Sequence, residues 1–432
     1  MLALACSLSF LLYLHRYTWG FIKPDLKTEF GWDDAKLAHL DNFFVITYGV
    51  GQIPSGMLCD WIGARMLLGT GVLLWSLALC GIGLAVGWKT LVAARLTFGI
   101  GQAGCYPTLG KISKSWFPIS SRSTAQGWIA TFFGRGGGAF SFILFGTVLS
   151  GRFKIPWREA LFLFSAIGVV CGVAFVLLFR NSPREHPWVN TEEAELIEAG
   201  DAAATPDATV HSRLHWSSLL ASSSIWFLFF RAFASNVADV LYSYWIPSYL
   251  IEARGMDKMS AGWMSALPLV GGALGGVASG WIQSRIIRKT DNRRWARSGV
   301  GFFGKAVAAL LMLASLLSGN VYVTVGMFFI VKFFSDCEQP AEWGAVTDMA
   351  GRASATVFAC VNSIGSLGGI IGGYIIGHSL KWFNAQGTSP ITAWNWIFVM
   401  IAAEYLLAAS AWLFIDSRKV LKTASATTST GS

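Results

Sequence analysis

The stretch GMLCDWIGARMLL, residues 56–68, is a polar turn set between two apolar runs. Gly56, Asp60, Gly63 and Arg65 fall in it at the spacing G-x3-D-x2-G-x-R. Glycine lets the chain turn tightly and helices approach, and an aspartate and an arginine can pair across neighbouring helix ends. The runs on either side, 38–59 and 66–86, reach the ~20 residues a helix needs to cross a bilayer. The turn is expected to join two membrane-spanning helices and to gate or brace them, the alternative being an ordinary polar turn.

Outward from this turn the pattern repeats. Apolar runs occur at 1–22, 38–59, 66–86, 90–115, 123–148, 157–179, 224–250, 261–284, 299–318, 321–347, 353–378 and 391–415. They predict twelve transmembrane helices. The composition agrees: of 432 residues 54% are hydrophobic and 13% charged, against about 25% charged in a soluble domain. Alternating ~10-residue strands of a barrel are absent, so the expected class is an all-α membrane protein. The first run lacks a basic leader and a small-residue cleavage site, and reads as a span rather than a signal peptide.

The net charge of +9 does not point to nucleic acid, because the basic residues sit between spans. The loop RIIRKTDNRRWAR, 285–297, carries six Arg or Lys against one Asp. Basic loops follow even-numbered spans, so both termini are expected in the cytoplasm of a multi-pass cell (inner) membrane protein. The seven cysteines mostly lie inside apolar runs, without metal-ligand spacing. No metal and no cofactor is expected, and no phosphate-binding loop for a nucleotide occurs.

The polar segment 180–216 divides the spans six and six. The expected domains are an N-terminal bundle at 1–180, a cytoplasmic linker at 181–222, a C-terminal bundle at 223–417 and a cytoplasmic tail at 418–432. The second half carries a weaker copy of the opening motif, GGVASGWIQSRIIRK at 275–289, with Gln283 or Ser284 where the acid would stand. Repeated halves mark secondary transporters.

With these motifs the chain resembles the major facilitator superfamily, and within it the anion:cation symporters that import hexuronates, aldonates and aldarates. QIPSGMLCDWIGAR (52–65), YPTLGKISKSWFP (106–118), NSPREHPWVNTEEAELI (181–197), WIPSYLIEARG (245–255) and NSIGSLGGIIGGYIIG (362–377) carry the resemblance. It implies two pseudo-symmetric six-helix bundles around a central cavity. It also implies alternating access, a small organic anion moved with a proton or against a counter-anion, and a functional monomer without enzymatic activity.

The resemblance places substrate contacts at Arg16, Arg135, Tyr13, Tyr48 and Asn362, with Lys111 where the family keeps an arginine. A guanidinium suits an oxyanion because it binds in a bidentate fork and stays charged. Arg16 could instead snorkel to an interface, and Arg135 could pair with an acid of another helix. Two acids tied to proton coupling in that family are missing: His15 precedes Arg16, and Ile119 follows the WFP at 116–118. His15, Asp239 and Glu338 are therefore the proton-coupling candidates. His15 could equally bond a helix neighbour, and the acids around 336–342 could merely pair with Lys332 or Lys305. A further consequence is that the chain could exchange organic anions or organophosphates without a proton, or act as a transporter-like sensor.

Overall fold

The computed structural model describes residues 1–117, 125, 127–202, 216–350, 354–419 and 421. The described residues are helical, with no strand among them. The first half holds α1 (Leu2–Phe30) and a 50-residue run Asp34–Gly83. That run breaks at Gly63 into α2 (34–62) and α3 (64–83). There follow α4 (88–116, interrupted at Gly104), α5 (127–152, with π-type turns at both ends) and α6 (Trp157–Leu178). A linker helix, Thr191–Ala202, precedes the second half. That half has α7 (Ser223–Ala253), α8 (Lys258–Thr290), α9 (Arg293–Ser315), α10 (321–350, interrupted at Cys337), α11 (Ser354–Ala385) and α12 (Pro390–Phe414).

Local chemistry sets these boundaries. Gly31, in the left-handed region at φ 64°, closes α1 by donating its N–H to the Lys27 carbonyl. Two residues on, the Asp33 carboxylate caps α2 by accepting from the Lys36 N–H at 2.8 Å. Gly63 has φ 83°, and a Cβ there would lie 2.7 Å from the Asn181 amide nitrogen. Only glycine fits that turn without strain.

Among the described residues seven helices are long and apolar enough to cross a membrane by length and composition, α6, α8, α9 and α12 among them. The other expected spans also form as helices, but they are interrupted or carry ionisable residues. α1 runs on to Phe30 instead of stopping near 22, because the Lys23 ammonium is buried and paired with Asp41 at 2.7 Å. Charge within an apolar run thus marks an interior face here rather than an end.

The packing repeats between halves. α1 packs on α5 as α7 packs on α11, and the Asp34–Gly83 run on α4 and α6 as α8 packs on α10 and α9 on α12. The halves meet along α2–α11 and α5–α8, two contacts that exchange under the same six-helix shift. Close approach is made by glycine: a Cβ on Gly275 of α8 would sit 1.9 Å from the Phe333 carbonyl oxygen of α10. On one face the halves are tied by Lys27–Glu252 at 2.5 Å, Asp25–Lys258 at 2.6 Å and Asp33–Lys381 at 2.9 Å. From mid-depth a cavity of about 1560 Å³ opens toward the opposite face. α2 begins at the sealed face, so Ile53, Gly56 and Cys59 on the cavity wall lead to its mouth.

Candidate functional site

The cavity floor is made by α1. Arg16 lies there among aromatic rings, its guanidinium carbon 4.3 Å from the Tyr48 ring centre, 5.1 Å from Phe44 and 5.2 Å from Tyr13. Nε donates to the Gln102 side-chain oxygen at 3.0 Å, and Gln102 is fixed in turn by donating to the Leu12 carbonyl at 3.2 Å. Nη2 is buried without a hydrogen-bond partner, and no carboxylate among the described residues lies within ion-pair distance. The side chain points into the cavity and does not snorkel. Aromatic faces stabilise a guanidinium by roughly 0.5–2 kcal/mol each, less than desolvating a full charge costs. Arg16 is a preformed, incompletely compensated cation.

Arg135, expected with Arg16 as a substrate contact, lines the same cavity but is ion-paired. Its Nη2 is 2.9 Å from Asp336 of α10 and 3.8 Å from Asp239 of α7. Lys332 of α10 closes the ring, bound to Asp239 and, at 2.6 Å, to Asp336. This quartet has two charges of each sign and joins the two halves. The second reading of Arg135, pairing with acids of other helices, is the one the geometry matches.

A second balanced cluster lies within the C-terminal half. Glu338 accepts from Arg231 at 2.9 Å, Lys305 at 2.8 Å and the Trp412 indole at 3.1 Å, while Arg231 also meets Glu342 at 2.7 Å. Its side chain is 2% exposed. Glu338 borders the cavity but is held by two cations, as the pairing alternative supposes.

His15 is the clearest departure. It is buried toward α6, its ring centre 6.1 Å from Phe164 and neither nitrogen hydrogen-bonded among the described residues. One helical residue is 100° of rotation, so the neighbour of a cavity-facing Arg16 faces the bundle interior. Ile119 lies outside the described residues. Tyr13, Tyr48, Asn362 and Lys111 line the cavity; Asn362 donates to Gln52 across the halves at 3.0 Å, and Lys111 donates to the Cys59 carbonyl at 3.0 Å.

In the opening motif Gly56 borders the cavity, and the side chain of Asp60 lies outside the described residues. The Arg65 backbone N–H donates to Asn181 at 2.9 Å and its Nε to the Val176 carbonyl at 2.8 Å, fastening the turn to the end of α6. Sequence reasoning missed Gln102, and with it a buried group near the sealed face. There Asp41 binds Lys23 and the Trp19 indole, Lys23 lies 3.6 Å from the Trp245 ring centre, and Arg95 stacks on Trp19. The available signal was an ionisable residue inside each of α1, α2 and α4.

The model of the major facilitator superfamily matches residues 5–373. The chain belongs to the major facilitator superfamily. It is accordingly a multi-pass membrane transporter and not an enzyme. Over 388 residues it is 28% identical to a protein of Cupriavidus necator named a "probable sulfoacetate transporter", covering 88% of this chain and 87% of that one. It is 25% identical to the "probable galactarate/D-glucarate transporter" of Escherichia coli K12, with 84% of each covered. The "probable L-galactonate transporter" of the same strain is 26% identical, over 84% of this chain and 80% of that one. Among solved structures, an occupied inward-facing bacterial homologue of the human lysosomal transporter Spinster superposes with a TM-score of 0.75 at 18% identity, over 96% of each chain. A D-xylose–proton symporter does so at 0.74 and 14%, over 97% of this chain and 98% of that one. At these identities the structural likeness concerns the fold.

Proposed function

We propose that this facilitator is a secondary active importer of small organic anions, of the sugar-acid kind, working by alternating access with proton coupling. The observation that carries the reading is Arg16: a guanidinium on the cavity floor, ringed by aromatics and without a carboxylate among the described residues. A substrate carboxylate or sulfonate would complete it with a bidentate, charge-assisted pair. Tyr13, Tyr48, Asn362 and Lys111 would meet the rest of the molecule. The names of the relatives, carriers of galactarate, galactonate and sulfoacetate, support an anionic cargo.

In this reading the bodies 1–180 and 223–417 rock about the linker 181–222. Both termini face the cytoplasm of the cell (inner) membrane, and the open face of the cavity is the cytoplasmic one. One chain suffices. Replacement of the family's acids by His15 and Ile119 favours a second reading, exchange of organic anions or organophosphates without a proton.

Uptake into proteoliposomes separates the two. Labelled galactonate, glucarate and sulfoacetate are offered with and without an inward proton gradient. Accumulation driven by the gradient is expected. Movement only when the lumen is preloaded with an anion would replace import by exchange, and movement of none of the three would overturn the reading.

A further inference from the structure

Building on that reading, we propose that Asp239 is the site of the coupling proton, and that it works by surrendering Arg135 to the substrate. Three side chains are candidates for this proton, and their surroundings differ. His15 faces α6 and not the cavity. Glu338 is 2% exposed and compensates both Arg231 and Lys305, so a proton there would leave Lys305 without a carboxylate and Arg231 with Glu342 alone. Asp239 borders the cavity, its side chain is 29% exposed, and its two oxygens are unequally held. Oδ1 is bound by Lys332, whereas Oδ2 lies 3.8 Å from Arg135, an ion pair without a hydrogen bond.

The groups facing Asp239 can be named helix by helix. α5 presents Arg135, α10 presents Lys332 and Asp336, and α9 presents Lys305 from farther off. Tyr242 of its own helix and Tyr405 of α12 are the nearby phenols. α1 contributes Tyr17, whose hydroxyl is 3.2 Å from the Ser243 hydroxyl, one turn beyond Asp239. Of the charged groups, Arg135 is the one from the other half, and it can leave without disturbing the Lys332–Asp336 pair.

Tyr13 sits between the two arginines. Its ring is 5.2 Å from Arg16 and packs on Gly134, next to Arg135. An anion held there by Arg16 draws Arg135 toward itself and away from its weaker partner, Asp239. The vacated carboxylate then takes a proton from the cavity water. For a monovalent anion such as galactonate, one negative charge and one proton enter together and the charge of the site is unchanged; a dianion adds one net negative charge beside Arg16 and Arg135. Arg135 and Asp239 lie on opposite halves, so rocking the halves alters their separation. Conformation and protonation are thereby linked.

The test is proton uptake on binding. Purified wild-type protein in weakly buffered detergent is mixed with galactonate, glucarate or sulfoacetate, and a pH indicator is read beside bound radiolabel. About one proton per anion is expected for the wild type, and none for Asp239→Asn, which should bind the anion with an affinity independent of pH. In proteoliposomes Asp239→Asn should keep anion exchange and lose accumulation driven by the gradient. Anion binding by the wild type without a proton, or undiminished proton uptake by the variant, overturns the assignment and leaves the anion reading intact. Failure of the wild type to bind any of the three overturns the anion reading itself. If Asp239→Asn cannot be purified, Asp239→Glu replaces it. The glutamate should keep coupling with a displaced pH profile, and an unchanged profile counts against the proposal.

Discussion

At the scale of the residue, a buried ionisable group is defined by what faces it. Arg16, Arg135 and Glu338 are all charges within apolar helices, yet the first has no carboxylate partner among the described residues and the others are ion-paired. Removing Glu338 leaves Lys305 without a carboxylate and Arg231 with Glu342 alone, so Glu338→Ala should destabilise the protein by about 3–5 kcal/mol. Thermal unfolding in detergent reads this as a lowered midpoint; an unchanged midpoint would contradict the cluster's role. His15→Leu, in contrast, removes two unsatisfied nitrogens from the buried site beside Phe164. It should leave transport and its pH profile as they are, and a lost pH dependence would return His15 to the coupling machinery. That an arginine at position 16 and an acid at 239 matter could be read from the sequence, since charges at membrane depth are costly. Which charges were already paired could not, because pairing joins helices far apart in the chain: Arg135 to Asp336, Arg231 to Glu338.

At the scale of the element, glycines set how closely helices pack. Gly275 of α8 faces the Phe333 carbonyl of α10, and Gly368 of α11 faces the Phe233 carbonyl of α7, where added Cβ atoms would fall 1.9 and 2.1 Å from the oxygens. Backbone cannot yield as a side-chain tip can. Gly275→Val should therefore give little folded protein, judged by a monodisperse peak in size-exclusion chromatography; wild-type yield and elution would contradict the packing. The twelve helices were legible as apolar runs, and Gly63 as the turn between two of them. Their ends were less so. α1 outran its apolar stretch because Lys23 finds Asp41, and the acidic cap at Asp33 lies beyond the run that it starts.

At the scale of the whole molecule, the halves are held together on one face and parted on the other. The seal uses Lys27–Glu252, Asp25–Lys258 and Asp33–Lys381 in addition to helix packing. Exposed ion pairs are worth only ~0–1 kcal/mol each, the range in which an equilibrium between two conformers can be tipped. Reversing two of them with Lys258→Glu and Lys381→Glu sets like charges opposite each other and should loosen the seal. Faster hydrogen exchange at the adjoining ends of α2 and α11 is expected; unchanged protection would mean that packing alone holds that face. The two-bundle plan was readable from the repeated motif and the central linker. Which face was open was not, because a sequence carries both conformations and the choice rests on small differences in contact energy.

The most direct test of the whole account is binding of a labelled sugar acid to purified wild-type protein and to Arg16→Ala, compared at equal thermal stability. The account predicts saturable binding by the wild type and a loss of at least about tenfold, ~1.4 kcal/mol, in Arg16→Ala. Equal affinity in the two proteins would contradict it, because the cation on the cavity floor would then have another purpose.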